Sequence, residues 1–143
     1  MKFKKLRSDA RTPAYGSADA AGADLYVCSP EEITIAPGET AVLPTGLAVS
    51  IPRGCVGLIF ARSSLGTKKG LAPANKVGVI DADYRGEIRI ALHNHSGEPQ
   101  TISPYERVAQ MIIVPFLQEP YEEAEELDDT ERGSGGFGST GRT

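Results

Sequence analysis

Arg62-Ser63-Ser64 sets a guanidinium beside two hydroxyls, just before Leu65-Gly66-Thr67-Lys68, the one place in the chain with a hint of helix. An arginine fork with hydroxyls at a helix N-terminus suits phosphate oxygens, because fixed donors and positive charge converge on one anion. Three other stretches carry more polar groups than a β core requires. Asp24 stands at the start of an apolar run, where it also reads as a turn cap. Arg107 and Gln110 open the run 108–114. Arg132 introduces Gly133-Ser134-Gly135-Gly136-Phe137-Gly138-Ser139, a strip whose backbone can approach an anion closely and whose lone aromatic offers a stacking face. A Gly/Ser-rich C-terminus also reads as a plain tail. The densest cluster is 75–86, where Val77, Val79 and Ile80 run into Asp81-Ala82-Asp83-Tyr84-Arg85-Gly86. By period this is a β-hairpin with two carboxylates, a phenol and a guanidinium at its tip. Asp and Gly also serve ordinary turns, so this stretch alone leaves a site and a surface turn both open.

The elements that must hold these groups are short strands. Ten prolines punctuate the chain, and between them lie runs rich in Val, Ile and Leu at 23–28, 33–35, 47–51, 56–60, 88–92 and 108–114. Such spacing with turn signals predicts an all-β sandwich, jelly roll or barrel with at most one short helix, in which a serine before Leu65 could act as cap. The 143 residues suffice for one domain with a core that needs no disulfide staple. Cys28 and Cys55 lack metal-ligand or redox spacing and read as small buried hydrophobes on strands, in keeping with a reducing, cytoplasmic setting. Nothing resembles a signal peptide, and no apolar run approaches the roughly 18 residues of a membrane span.

The formal charge of −4 hides an asymmetry. The segment 119–131 holds eight acids and no Lys or Arg, so the remainder carries fifteen bases against eleven acids, a net +4. That balance favours an anionic ligand but is far too small to argue for nucleic acid. The acidic run repels itself and reads as an extended linker. The expected organisation is therefore a β domain at 1–118, a linker at 119–131 and a C-terminal arm at 132–143.

Taken in order, these stretches resemble the five motifs of the trimeric deoxyuridine triphosphatase (dUTP diphosphatase) family, from about Thr12 to the C-terminus. The motifs are Ala21-Gly22-Ala23-Asp24-Leu25; the 52–66 run with Arg62-Ser63-Ser64; Gly78-Val79-Ile80-Asp81-Ala82-Asp83-Tyr84-Arg85-Gly86; Arg107-Val108-Ala109-Gln110; and the strip from Arg132 to Gly141. The resemblance implies a distorted jelly-roll, β-clip subunit. It implies a homotrimer with active sites shared between subunits, and a cytoplasmic enzyme with Mg²⁺ as cofactor. The reaction implied is hydrolysis of dUTP to dUMP and pyrophosphate by water attack on the α-phosphate. That reaction limits uracil incorporation into DNA and supplies dUMP for thymidylate synthesis.

Carried over position by position, the resemblance makes Asp81 the carboxylate that activates the attacking water, with Asp83 shaping the turn. Asn75 and the backbone of Gly78, Val79 and Ile80 would meet the uracil edge and exclude a 5-methyl group. Tyr84 would lie against the deoxyribose and exclude a 2′-hydroxyl, and Phe137 would stack on the base. Arg62, Ser63, Ser64, Gln110, Arg132, Gly138 and Ser139 would hold phosphates. Asp24 would reach Mg²⁺ through water. Arg107 is left between phosphate binding and a subunit contact.

Two rival readings are weaker. A dCTP deaminase of the same fold would carry a glutamate in the strand after the hairpin, where this chain has Ala91. A non-catalytic relative would show damage at Asp81, Arg62 or the tail, and there is none. His93 and His95 share a strand face if the strand is regular, but without a nearby third ligand they read as ordinary surface or interface histidines.

Overall fold

The computed structural model describes residues 1–136. Its elements are twelve strands: β1 (Lys2–Lys5), β2 (Ala14–Tyr15), β3 (Ala23–Tyr26), β4 (Ile33–Ile35), β5 (Thr40–Pro44), β6 (Leu47–Ser50), β7 (Cys55–Phe60), β8 (Leu71–Pro73), β9 (Gly78–Ile80), β10 (Arg89–Asn94), β11 (Gln100–Ile102) and β12 (Arg107–Pro115). A single helical turn, Leu65–Lys69, lies between β7 and β8. The expected all-β jelly-roll class with one short helix is what the chain adopts.

Alternation explains the strands. Along β10, Ile90, Leu92 and Asn94 are buried while Arg89 is exposed, the period-2 pattern of a strand with one face in the core. The main sheet is antiparallel in the order β2-β3-β12-β7-β9, and a second sheet runs β5-β10-β8. The pairs β1-β6 and β4-β11 complete the framework. One core joins them: Leu25, Ile59 and Met111 of the main sheet pack in the same cluster as Leu43, Leu71, Ile90 and Leu92 of the second.

The expected hairpin is not one. Among the described residues β9 pairs only with β7, and β10 pairs with β5 and β8, so the two arms leave the 81–88 turn into different sheets. The physical reason is that Ile88, Ile90 and Leu92 bury in the core beneath the second sheet, which pulls the returning strand away from its neighbour in sequence. Two smaller expectations also fail. Ser64 precedes the helical turn but makes no side-chain cap bond. Cys28 is buried, but it lies beyond the end of β3, with its thiol 3.5 Å from Asp9 Oδ1. Cys55 opens β7 and is only half-buried.

The N-terminal loop is tied down by charge. Arg7 grips Asp9 at 3.0 and 2.8 Å, and Tyr105 donates to the same carboxylate at 3.0 Å. These bonds, Arg7 first, hold the Asp9 carboxyl at about 2, below its ordinary 3.8. Burial, helped by the Asp9 contact, pushes the Cys28 thiol up, so it is a poor nucleophile. Arg11 lies over the rings of Tyr26 and Tyr105, at 5.5 and 5.2 Å, and so links this loop to β3 and to the residues before β12.

Candidate active site

Adjacent strands of the main sheet set the first group of residues side by side. Asp24 on β3 lies directly opposite Gln110 on β12, and Gln110 lies opposite Phe60, the last residue of β7, just before Arg62. Asp24 is almost wholly buried. Its Oδ1 accepts from Arg62 Nε at 2.7 Å and its Oδ2 from Arg107 Nη1 at 3.1 Å. A buried carboxylate needs such partners, since desolvation strongly disfavours an unpaired charge. Gln110 donates to the Ala61 carbonyl at 3.0 Å. With Gly16, Ala20, Gly22 and Ser63 these groups line a shallow hollow of about 210 Å³. Ser63 and Ser64 are exposed beside it.

Two local features make this hollow. Arg107 and Gln110 are three residues apart, which in a regular strand would point them to opposite faces. The pairing of β12 with β3 slips between Arg107 and Ala109, a β-bulge, and Val108 and Ala109 are consecutively buried there. The slip turns both polar side chains to the same hollow. Gly22 is the second feature. A Cβ there would stand 2.6 Å from Gln110 Oε1, so only glycine leaves room for that side chain.

The second group surrounds the parting of β9 and β10. β9 is the outer strand of its sheet, so among the described residues one edge of its backbone has no ladder partner. Between that edge and β10 is a hollow of about 120 Å³ walled by Asn75, Gly78, Val79, Ile80 and Ala91. Asp81 follows, exposed, between two further hollows. One, about 220 Å³, is lined by Tyr84, Glu87 and Arg89; the other, about 600 Å³, by Arg53, Asp83, Phe116 and Gln118. Tyr84 donates to the Glu87 carbonyl at 3.0 Å, and its ring folds over Gly86, where any Cβ would collide with the phenol. Arg85 donates to the carbonyls of Ala82 and Tyr84 at 2.7 and 2.8 Å and braces the turn.

The two groups do not meet within one chain. Ile80 pairs with Gly57, which sets Asp81 level with Val56 near the start of β7, whereas Arg62 lies beyond its end. At about 3.3 Å per extended residue, some 20 Å separates them. Arg132 lies apart from both in sequence, on an exposed turn, with its Nε donating to the Gly135 carbonyl at 2.8 Å. Phe137, Gly138 and Ser139 fall outside the described residues.

Nothing in the sequence signals that Asp24 and Arg62 form one ion-paired unit with Arg107. Nor does the sequence single out Arg89, whose only signal is a charge at a strand end. His93 and His95 do share a face, with ring centroids 4.4 Å apart, and His93 Nδ1 pairs with the Thr40 hydroxyl at 2.9 Å. The exposed His95 imidazole is held below its ordinary value by partial desolvation, with lesser help from the charges of Lys76 and His93. Among the described residues no three His, Cys, Asp or Glu side chains group as metal ligands. Nor is any helix among them long and apolar enough to cross a membrane.

A family model described as dUTPase matches residues 8–141. The deoxyuridine 5′-triphosphate nucleotidohydrolase of Nautilia profundicola is 49% identical over 142 residues, covering 99% of each chain. That of Syntrophotalea carbinolica is 46% identical over 141 residues, covering 99% of this chain and 96% of its own. Among solved structures, the dUTPase of Staphylococcus bacteriophage 80alpha with dUpNHpp superposes with a TM-score of 0.87 at 32% identity, covering 98% and 97% of the two chains. A mutant dUTPase of phage phi11 of S. aureus, described as revealing the coordination of a structural Mg(II) ion, gives 0.77 at 29% identity, covering 87% and 96%.

Proposed function

The chain belongs to the dUTPase family, and from that premise we propose that it hydrolyses dUTP to dUMP and pyrophosphate in sites shared between the subunits of a homotrimer. The single observation that carries the shared site is the separation of about 20 Å between Asp81 and Arg62 along β7. A base must reach the water attacking the α-phosphorus, and phosphate donors must touch the same triphosphate. One subunit therefore offers Asp81 to phosphates gripped by another.

Asp81 takes a proton from the water as its oxygen bonds to the α-phosphorus, and the bond from that phosphorus to the α–β bridging oxygen breaks, releasing pyrophosphate. Asn75 and the free edge of β9 at Gly78, Val79 and Ile80 pair with uracil's polar edge. The narrowness of that hollow supports rejection of a thymine methyl, and Ala91 in its wall supplies no acid for deamination. Tyr84, folded over Gly86, leaves no room for a 2′-hydroxyl. Arg62, Ser63, Ser64 and Gln110 hold phosphates, joined from the arm by Arg132, Gly138 and Ser139, while Phe137 stacks on the base. The exposed acidic stretch 119–131 serves as the tether between the β domain at 1–118 and the arm at 132–143.

Among the described residues Asp24 is the one carboxylate lining the phosphate hollow, and both its oxygens are already hydrogen-bonded. That donor set fits Mg²⁺ brought on the triphosphate with its water shell, and does not fit a cage built by protein alone. Bound there, the ion would neutralise charge on the departing pyrophosphate. The enzyme would act in the cytoplasm, limiting uracil in DNA and feeding thymidylate synthesis.

Pyrophosphate release from dUTP, dTTP, dCTP and UTP, measured side by side, tests the reading. A clear preference for dUTP is expected; preference for any other nucleotide, or ammonia release from dCTP, overturns it.

A further inference from the structure

We infer that Arg107 is a positioning residue that acts on the substrate's phosphates only through Asp24 and Arg62; the inference rests on the dUTP-hydrolysing reading above. Asp24 gives one oxygen to each arginine, Oδ1 to Arg62 Nε at 2.7 Å and Oδ2 to Arg107 Nη1 at 3.1 Å. Its side chain is 11% exposed, Arg62's 22% and Arg107's 49%. The carboxylate cannot turn about its own bond without releasing both partners. While Arg107 holds Oδ2, Oδ1 stays on the Nε of Arg62, and the two terminal amino groups of Arg62 remain free of Asp24 for an incoming anion.

Burial decides which arginine feels that anion. Charge interactions weaken with exposure because water and salt screen them. Arg62, nearly four-fifths covered, is placed for direct contact, whereas Arg107 at the rim gives little to the phosphates itself. The bulge in β12 has a purpose on this account. Without the slip between Arg107 and Ala109, the residue three before Gln110 would point to the other face and leave Oδ2 of a buried carboxylate without its arginine. A single anion between two guanidiniums also lets two like charges share one hollow.

The test is a double-substitution cycle in the full-length protein, using Arg107→Gln and Asp24→Asn, singly and together. Arg107→Gln is expected to raise KM for dUTP about tenfold with kcat within twofold, since Asp81 is untouched. Arg107→Lys should recover part of the loss. In the Asp24→Asn background, Arg107→Gln should cost nothing further. If the two losses multiply, Arg107 touches phosphate directly and the inference falls; it falls equally if KM does not move. Sedimentation and thermal unfolding of Arg107→Gln must match the parent, and a dissociated assembly would make Arg107 an interface residue and overturn the inference. Inorganic tripolyphosphate, titrated calorimetrically into the same four proteins, should repeat the pattern. That arm tests the inference even if dUTP proves not to be hydrolysed, which would instead sink the functional reading.

Discussion

Gly22→Ala should disable the phosphate hollow while leaving the fold nearly as stable as before. An added Cβ would stand 2.6 Å from Gln110 Oε1 and 3.2 Å from its Cδ, closer than real contacts allow, so the Gln110 side chain must move. Moving it breaks the 3.0 Å bond to the Ala61 carbonyl, worth about 1 kcal/mol. It also withdraws the amide from the phosphates, and a hydrogen bond to a charged group is worth about 1.5–3 kcal/mol. At about 1.4 kcal/mol per factor of ten, kcat/KM for dUTP should fall roughly 10- to 150-fold. Stability behaves differently. Gly22 does not sit in the left-handed region, so alanine gains about 0.4–1 kcal/mol from a stiffer unfolded chain, which offsets the lost Ala61 bond. The melting temperature should therefore hardly change. Gly16→Ala is the control, because Gly16 lines the same hollow with nothing within 4 Å of an added Cβ. The assay is steady-state pyrophosphate release with thermal unfolding on the same samples. Wild-type kcat/KM in Gly22→Ala, or an equal loss in Gly16→Ala, would refute the steric reasoning.

Other perturbations have equally definite outcomes. Asp81→Asn should lower kcat by a factor of about 10² to 10⁴, the usual worth of a general base, while dUpNHpp binds within a few-fold of wild type by calorimetry; full turnover would remove Asp81 from the role. Inactive Asp81→Asn and Arg62→Ala subunits, refolded together, should regain activity in mixed assemblies, and a mixture as dead as its components would speak against shared sites. The Asp9 carboxyl sits at about 2 in the folded chain against an ordinary 3.8, so its contribution to stability is complete above 3.8 and is lost as pH falls toward 2. Thermal unfolding between pH 5 and 2 should thus show a decline that is shallower in Asp9→Asn; parallel curves would mean that the Arg7–Asp9–Tyr105 cluster does not hold the N-terminal loop.

Much of the framework was legible in residue types alone. The runs at 33–35, 47–51, 56–60 and 108–114 became β4, β6, β7 and β12 with ends shifted by a residue or two, because dense β-branched residues between turn formers leave few alternatives. Five strands carry no such signal: β1, β2, β5, β8 and β11. Lys2–Lys5 is wholly exposed, and Thr40–Pro44 mixes threonine, alanine and proline, so neither carries a clear period. They are strands because a stronger neighbour, β6 or β10, offers them a ladder. The hairpin misreading has the same origin. Adjacent apolar runs around a turn imply pairing, but Ile88, Ile90 and Leu92 gain more by burial beneath the second sheet.

The sequence by itself determined the inventory of the site: a carboxylate after an apolar strand, an Arg-Ser-Ser run, an Arg and a Gln three apart, and a glycine-rich arm. Their order along the chain was enough to indicate the family, because order and residue type are local properties. Three things only the tertiary structure decided. The parting of β9 and β10 left a free backbone edge where a hairpin would have consumed it. The bulge in β12 brought Arg107 round to Gln110's side, against the two-residue period. And the length of β7 set Asp81 some 20 Å from Arg62 along the sheet. Each depends on which distant strands win the competition to pair and bury, a contest that no short stretch of residues records.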